Sequence, residues 1–562
     1  MKQIPFLIFI LLASSCTQVE DESFRVYAPI NRTEVSGTSA AVVSDHPLAT
    51  AAGHEVLRNG GNASDAAVTM AAVLAVVRPH MNGIGGDAFG LFYDGESKAV
   101  TTLNASGRAG ELATPDFFLK SGYNEIPEKG AASVTVPGAV SAWAETLNQY
   151  GTITLAEALE PAIRYAEEGF PVSPTLYRDF EPLTSELNEA GRNLYTRNGN
   201  PIEVGKKLRN PALAQTLRTI AQEGPNALYG GSIGEVLAEF IENEGGHLQI
   251  SDFEDHKAYW TEPIQGNFFG KNLYVHPPNS QGITLLSQLA MAEQFDLPSM
   301  GHNSAEYLHT LVEIKKLAFA DRDRWVADPN TDPAPLDQIL DENYLAERAN
   351  LISGAATENV TPGFGEPLPA KVTDGDGDTV YLMVVDEDGN AVSWIQSIFS
   401  SFGSKVVEPK TGILLHNRGS GFTLQEGHPN QIAPGKQPFH TLTPAMLTDA
   451  DGNLELTLGT PGGHGQTQSK IQVLYNLYAF NMHPQEAVEA ARYLSNDGNS
   501  LSLENRIAVD VREDLRNRGH ELIMSDGWAA VFGGVQMIFI DNENGVLRTA
   551  ADPRREGYSL AY

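Results

Sequence analysis

Thr379 stands at an abrupt change of texture. In "DGDGDTVYLMVVDEDGNAVS", residues 374–393, an acidic, glycine-rich run ends at Asp378 and a strongly apolar stretch begins with Thr379. A threonine hydroxyl attacks a carbonyl poorly unless a base takes its proton. One solution is the threonine's own α-amine, which titrates near about 7.7–8.0. An internal threonine has no free amine, so the peptide bond before it must first break and the preceding segment must then move aside. A Gly/Asp loop suits that removal, and a buried strand would hold the new N-terminus rigidly. The pattern at 378/379 therefore suits an amide-cleaving nucleophile that acquires its base by cutting its own chain.

Other motifs lack their context. Asp374, Asp376 and Asp378 have the spacing of a calcium loop, but Thr379 and Val385 stand where that loop needs Gly and Glu. "GGSIG" at 230–234 matches a serine-hydrolase elbow around Ser232, yet the text before it is helical where a strand is required. "GIGGDA" at 83–88 mimics a dinucleotide fingerprint, but it follows a helix and precedes the strand-like "FGLFYD", the reverse of the required order. The 14 histidines form no HExxH and no zinc-type pairing, so neither a metal nor a cofactor is expected.

The elements that must position Thr379 can be read from periodicity. "LATAAGHEVLRNGGNASDAAVTMAAVLAVV" reads as two helices broken at Gly60-Gly61, with Asn62 and Ser64 placed to cap the second. Residues 209–247 and 303–328 also read as helical, the latter with one apolar face. After Thr379, "TVYLMVVD", "AVSWIQSIF", "LELTLGT" and "VQMIFID" are near-continuous apolar runs of strand length, as in strands covered on both faces. Asp388-Gly389 between the first two signals a hairpin. The expectation is an α/β protein of stacked sheets with helices outside, helix-rich before residue 378 and strand-rich after it. "TPGFGEPLPAKVTDGDGD" is its clearest loop.

The totals narrow the function. Of 562 residues, 41% are hydrophobic, enough for a large core, and a formal net charge of -33 with no basic run excludes a nucleic-acid partner. "MKQIPFLIFILLASSC" is a targeting segment, because its apolar middle is shorter than the roughly 20 residues of a membrane span. Cys16, the single cysteine, follows it at once and permits no intramolecular disulfide. The arrangement resembles a bacterial lipoprotein signal, with Cys16 the lipidated first mature residue; a plain secretory signal is the alternative. Either way the protein is expected to be exported, in the periplasm and membrane-bound only through its lipid.

"GDTVYLMVVDEDGNAVS", "TGILLHNRGSGF", "PFHTLTPAM", "GTPGGHGQ" and "DPRREGY" together resemble the γ-glutamyltranspeptidase family of self-cleaving N-terminal-nucleophile hydrolases. The likeness extends upstream through "LRNGGNASDAAVTMAAVLAVVRPHMNGIGGDAFG", "SVTVPGAVSAW", "PPNSQGITLL" and "ADRDRW", covering nearly everything after about residue 40. It implies a four-layer αββα sandwich and autoproteolysis between Asp378 and Thr379. The expected segments are a signal over 1–15, a linker over 16–40, a large chain over 41–378 and a small chain over 379–562. Thr379 would form an acyl-enzyme and pass the acyl group to water or an amine acceptor, and Ser397 matches the second hydroxyl that hydrogen-bonds the nucleophile. Gly462 and Gly463 match the oxyanion hole. They lie between a strand-like and a helical segment, where outward N–H groups can stabilise an oxyanion by roughly 2.7–4 kcal/mol each.

The polar set that grips a γ-glutamyl group departs from the family pattern. Its Asn corresponds to Phe399, its Gln to Arg418, its Asp to Gly421 and its paired serines to His440 and Thr441. The clamping Arg should fall near Ser106, where Arg108 could stand in, and the loop 423–437 is short for a lid. Arg418 and Arg108 would suit an acyl group bearing a carboxylate without an amine. A γ-glutamyl hydrolase or transferase is the first expectation and a glutaryl/cephalosporin-type acylase the second. An inactive lipid-anchored binding protein is the third.

Overall fold

A computed structural model describes residues 31–368 and 377–562; the leader, Cys16, Asp374 and Asp376 lie outside them. Before the Asp378–Thr379 bond the main strands are β1 Val35–Gly37, β2 Ala41–Ser44, β3 Asp87–Tyr93, β4 Val100–Ala105, β5 Tyr259–Thr261, β6 Ile264–Phe268 and β7 Lys271–Val275. At or after it come β8 Gly377–Val385, β9 Ala391–Ser400, β10 Ala445–Thr448, β11 Leu454–Gly459, β12 Gln536–Asp541, β13 Val546–Ala551 and β14 Tyr558–Ala561. They form two seven-stranded sheets, ordered β14-β2-β8-β9-β3-β4-β5 and β1-β13-β12-β11-β10-β7-β6.

Side-chain alternation along β8 and β9 feeds two cores, and the outer face of the other sheet builds a third. Tyr381, Met383, Val385 and Ile395 point to the opposite sheet and pack with Met446, Leu454 and Ile538. Val380, Leu382, Val384, Val392 and Trp394 point outward, into a core shared with helices Pro47–Arg58 and Ala63–Val77. On the far side, Leu447, Leu456, Leu458 and Met537 meet helices Gly282–Ala292, Ala305–Trp325 and Gly465–Tyr478. The result is the expected αββα sandwich.

Helix Ala63–Val77 is buried along its whole length, which its run of alanines and valines suits. Asn62 caps it reciprocally with Asp65, at 3.0 Å and 2.9 Å; Ser64 lies inside the helix and plays no capping part. Ser232 opens a helix after a helix-turn, in line with the rejected elbow. A loop joins β8 to β9, its Gly389 at φ 79°, and the Asp386 carboxylate accepts from Asp388 N–H and Asn390 N–H.

Helix dominates before residue 378 and strand after it, as expected, yet each sheet interleaves strands from both sides of the bond. Strands such as β6, "IQGNF", are half-exposed and carry no apolar run, so their sequence reads as loop.

Candidate active site

Thr379 sits in a register shift at the head of β8. Asp378 pairs with Phe399 and Val380 with Gln396, so β9 has one residue more than β8 between those pairs. Such a bulge turns side chains out of simple alternation. Thr379 Oγ1 donates to Ser397 Oγ at 3.2 Å, and Ser397 Oγ donates to the carbonyl of Asp378 at 2.8 Å. Phe399 N–H donates to the same Ser397 oxygen at 2.8 Å, fixing its orientation. Nucleophile, hydroxyl partner and the carbonyl of the expected scissile bond thus form one hydrogen-bonded chain, and both hydroxyl residues are buried.

The side chain of Asp378 is held separately. Arg555 Nη1 donates to its Oδ1 at 3.1 Å, and the Ser401 hydroxyl donates to Oδ2. Burial works against the Arg555 charge, and Asp378, Asp45 and Asp179 outweigh that cost, raising its pKa. A cleft of about 1020 Å³ opens here, lined among others by Asp378, Ser401, Lys405, Gly462, His464 and Arg555. Leu494, Ile523 and Val531 give it an apolar flank.

Gly462 and Gly463 follow β11 and precede helix Gly465–Tyr478, with φ of 117° and 49°. Those values need glycine. Among the described residues neither N–H donates a hydrogen bond, which leaves both for a ligand. The loop is braced from behind. Gln281 Nε2 donates to the carbonyls of Gly463 at 3.1 Å and Thr441 at 2.8 Å, and Arg322 bridges Gln281 Oε1 and His464 Nδ1. Gln281 and Arg322 were not singled out from the sequence, although both lie in the quoted blocks "PPNSQGITLL" and "ADRDRW".

Arg418 and His440 meet at Asp87. The Asp87 Oδ2 lies 3.3 Å from Arg418 Nε, 3.0 Å from His440 Nε2 and 3.3 Å from His416 Nδ1, all fully buried. Burial opposes the Asp87 charge, but His416 and His440 overcome it and hold the carboxyl well below its usual range. Burial, then the Arg418 charge, pushes His440 down to about 3, so it is a neutral donor to Asp87. The Arg418 guanidinium lies 4.2 Å from the Phe399 ring centroid. Arg418 is thus held between Asp87 and Phe399, and none of Arg418, Phe399 and His440 is among the residues lining the cleft. Thr441 is buried beside them. Arg108 is half-exposed, donates to the Gly435 carbonyl at 3.0 Å and lies 3.6 Å from Asp328; it does not line the cleft.

His309, Glu313 and His520 lie close enough to share an ion, a trio the sequence spacing did not reveal. Its donors are engaged with one another and the chain: His309 and His520 hydrogen-bond at 2.8 Å, and Glu313 holds Lys316 at 2.7 Å and Thr357 N–H at 3.1 Å. The Lys316 ammonium occupies the cationic place beside the carboxylate.

An αββα sandwich with a strand-initial threonine facing a partner hydroxyl is the architecture of N-terminal-nucleophile hydrolases. The chain belongs to the γ-glutamyltranspeptidase family, whose sequence pattern it matches over residues 49–562. It is 39% identical to the glutathione hydrolase-like YwrD proenzyme of Bacillus subtilis, across 94% of this chain and 99% of that protein. It is 35% identical to the acylase ACY 1 proenzyme of Pseudomonas sp. strain V22, across 94% of each. The crystal structure of cephalosporin acylase from Bacillus halodurans superposes with a TM-score of 0.88 at 34% identity, covering 97% of this chain and 99% of that one.

Proposed function

We propose that this chain is a self-processing amidohydrolase and acyltransferase that cleaves γ-glutamyl or similar acidic acyl amides through a threonine acyl-enzyme. The observation that carries the reading is the chain from Thr379 Oγ1 through Ser397 Oγ to the Asp378 carbonyl. In maturation, Thr379 Oγ1 bonds to the Asp378 carbonyl carbon as the C–N bond to Thr379 breaks, and the hydroxyl proton ends on the freed nitrogen. Water then displaces Oγ1 from that carbon, returning a proton to Thr379 and leaving a carboxyl group on Asp378. The large chain ends at Asp378, and the small chain begins with an amine beside its own nucleophile. In turnover that amine takes the hydroxyl proton, Thr379 attacks the substrate carbonyl, and the N–H groups of Gly462 and Gly463 stabilise the oxyanion. Protonation of the leaving amine and attack by water, or by an acceptor amine, complete the cycle.

Two relatives named as proenzymes support self-processing. Export as a lipoprotein through Cys16 rests on the leader; no described helix is long and apolar enough to cross a membrane. A glutaryl- or cephalosporin-type acylase is the second reading, favoured by the likeness to the acylase ACY 1 proenzyme and to the cephalosporin acylase structure. A denaturing gel of purified protein tests the first claim by giving two bands, which Thr379→Ala should merge into one. Hydrolysis of γ-glutamyl against glutaryl p-nitroanilide separates the readings: better turnover of glutaryl selects the acylase.

A further inference from the structure

We propose that Arg555, assisted by Ser401, is the seat for the carboxylate of the substrate's acyl group, and that Asp378 holds this seat until maturation empties it. The inference rests on Thr379 being the nucleophile. The ester formed when Thr379 Oγ1 takes the Asp378 carbonyl is itself an acyl-enzyme, whose acyl group is the aspartyl of Asp378. The enzyme therefore deacylates once on its own chain before it meets a substrate, with the acyl carbonyl on the same oxygen in both cases. What holds the Asp378 side chain then lies on the acyl side of the reacting carbonyl.

That holder is specific. Arg555 Nη1 lies 3.1 Å from Asp378 Oδ1, and the Ser401 hydroxyl donates to the other oxygen. Arg555 is 8% exposed, and its remaining contacts are the Ala530 carbonyl at 3.3 Å and Met81 Sδ at 3.7 Å. Among the described residues Asp378 is its ion-pair partner. When the large-chain terminus withdraws, a buried guanidinium in the cleft loses that carboxylate, and a desolvated charge of this kind favours any anion able to replace it. Lys405, whose ammonium donates to the Ser401 carbonyl and lies 4.0 Å from Glu186, stands on the same wall.

The geometry also sets chain length. In an aspartyl group two carbons separate the reacting carbonyl from the side-chain carboxylate, the spacing of a succinyl group. A glutaryl or γ-glutamyl group is one carbon longer. The substrate class is thus the N-acyl amides of short dicarboxylic acids, succinyl ahead of glutaryl, and both ahead of a neutral acyl of equal length.

The test uses the matured full chain with succinyl, glutaryl and butyryl p-nitroanilides. Wild type should prefer succinyl to butyryl in kcat/KM. Arg555→Gln should cut that ratio about tenfold or more, the scale of one lost charge-assisted hydrogen bond, mainly through KM. Arg555→Lys should restore part of it. An unchanged ratio in Arg555→Gln overturns the proposal. Should Arg555→Gln remain uncut, wild-type inhibition decides: succinate competing with substrate where butyrate does not supports the seat, and equal inhibition overturns it. Turnover surviving in Thr379→Ala would instead sink the nucleophile reading, a separate outcome.

Discussion

Thr379 and Asp87 are two buried groups with opposite demands. On the proposed mechanism the Thr379 amine must lose a proton to work, so kcat/KM should rise with pH and level off above about 8, following an α-amine of ordinary pKa. A flat profile from pH 5 upward would remove the amine as the base. Asp87 must keep its charge. Its depressed pKa means the native state binds this proton less tightly than the unfolded chain, so its stabilisation is present above the unfolded value of about 3.9 and lost as pH falls below it. Asp87→Asn leaves Arg418 buried without its carboxylate and should cost about 3–5 kcal/mol at neutral pH. Thermal unfolding at pH 7 and pH 3 checks both points, because the variant's deficit must shrink in acid. This residue-level logic was only partly legible in the sequence. Thr379 announced itself through its neighbours, whereas the pair of Asp378 with Arg555 spans 177 positions and leaves no local pattern.

At the scale of elements, the C-terminal end of β11 and the turn after it do two different jobs with glycine. Gly459 closes the strand under the Tyr381 ring; a Cβ there would lie 1.8 Å from a ring carbon, inside the inter-sheet core. Overpacking such a core costs typically 1–3 kcal/mol or more, so Gly459→Ala should lower the melting temperature by several degrees without a defect specific to catalysis. Three residues on, a Cβ at Gly462 meets nothing closer than 3.6 Å, but its φ of 117° is strained for any other residue. Gly462→Ala should therefore fold and lose about 10²–10³ in kcat as the N–H swings off the oxyanion. Equal losses of stability and kcat in both variants would refute the division. The strands themselves were readable where both faces are covered, as in "TVYLMVV", because burial on two sides demands an unbroken apolar run. β6 and β7 were not, because half-exposed strands within a sheet are specified by their partners in space rather than by their own composition.

Across the whole molecule, the expected cut falls where it separates nothing. In the first sheet β2 of the large chain lies between β14 and β8 of the small chain, and β9 of the small chain lies beside β3 of the large. In the second, the large chain supplies both edges, β1 and β6, around four small-chain strands and β7. Each core likewise mixes residues from both sides of residue 378. Hydrophobic burial on this scale, of order 10² kcal/mol for a domain, is indifferent to one missing peptide bond, so maturation should leave a single particle. Matured protein should elute as one species in native size exclusion while giving two bands under denaturation. Conversely, residues 379–562 expressed alone would expose β8 along the edge that β2 covers and leave β9 without β3. Unpaired central strands template aggregation. The small chain made alone should be insoluble, and refolding it with separately made residues 31–378 should recover little activity, because the interleaved order forms most readily when one chain still connects the strands. A soluble, monomeric small chain with native circular dichroism would contradict this dependence.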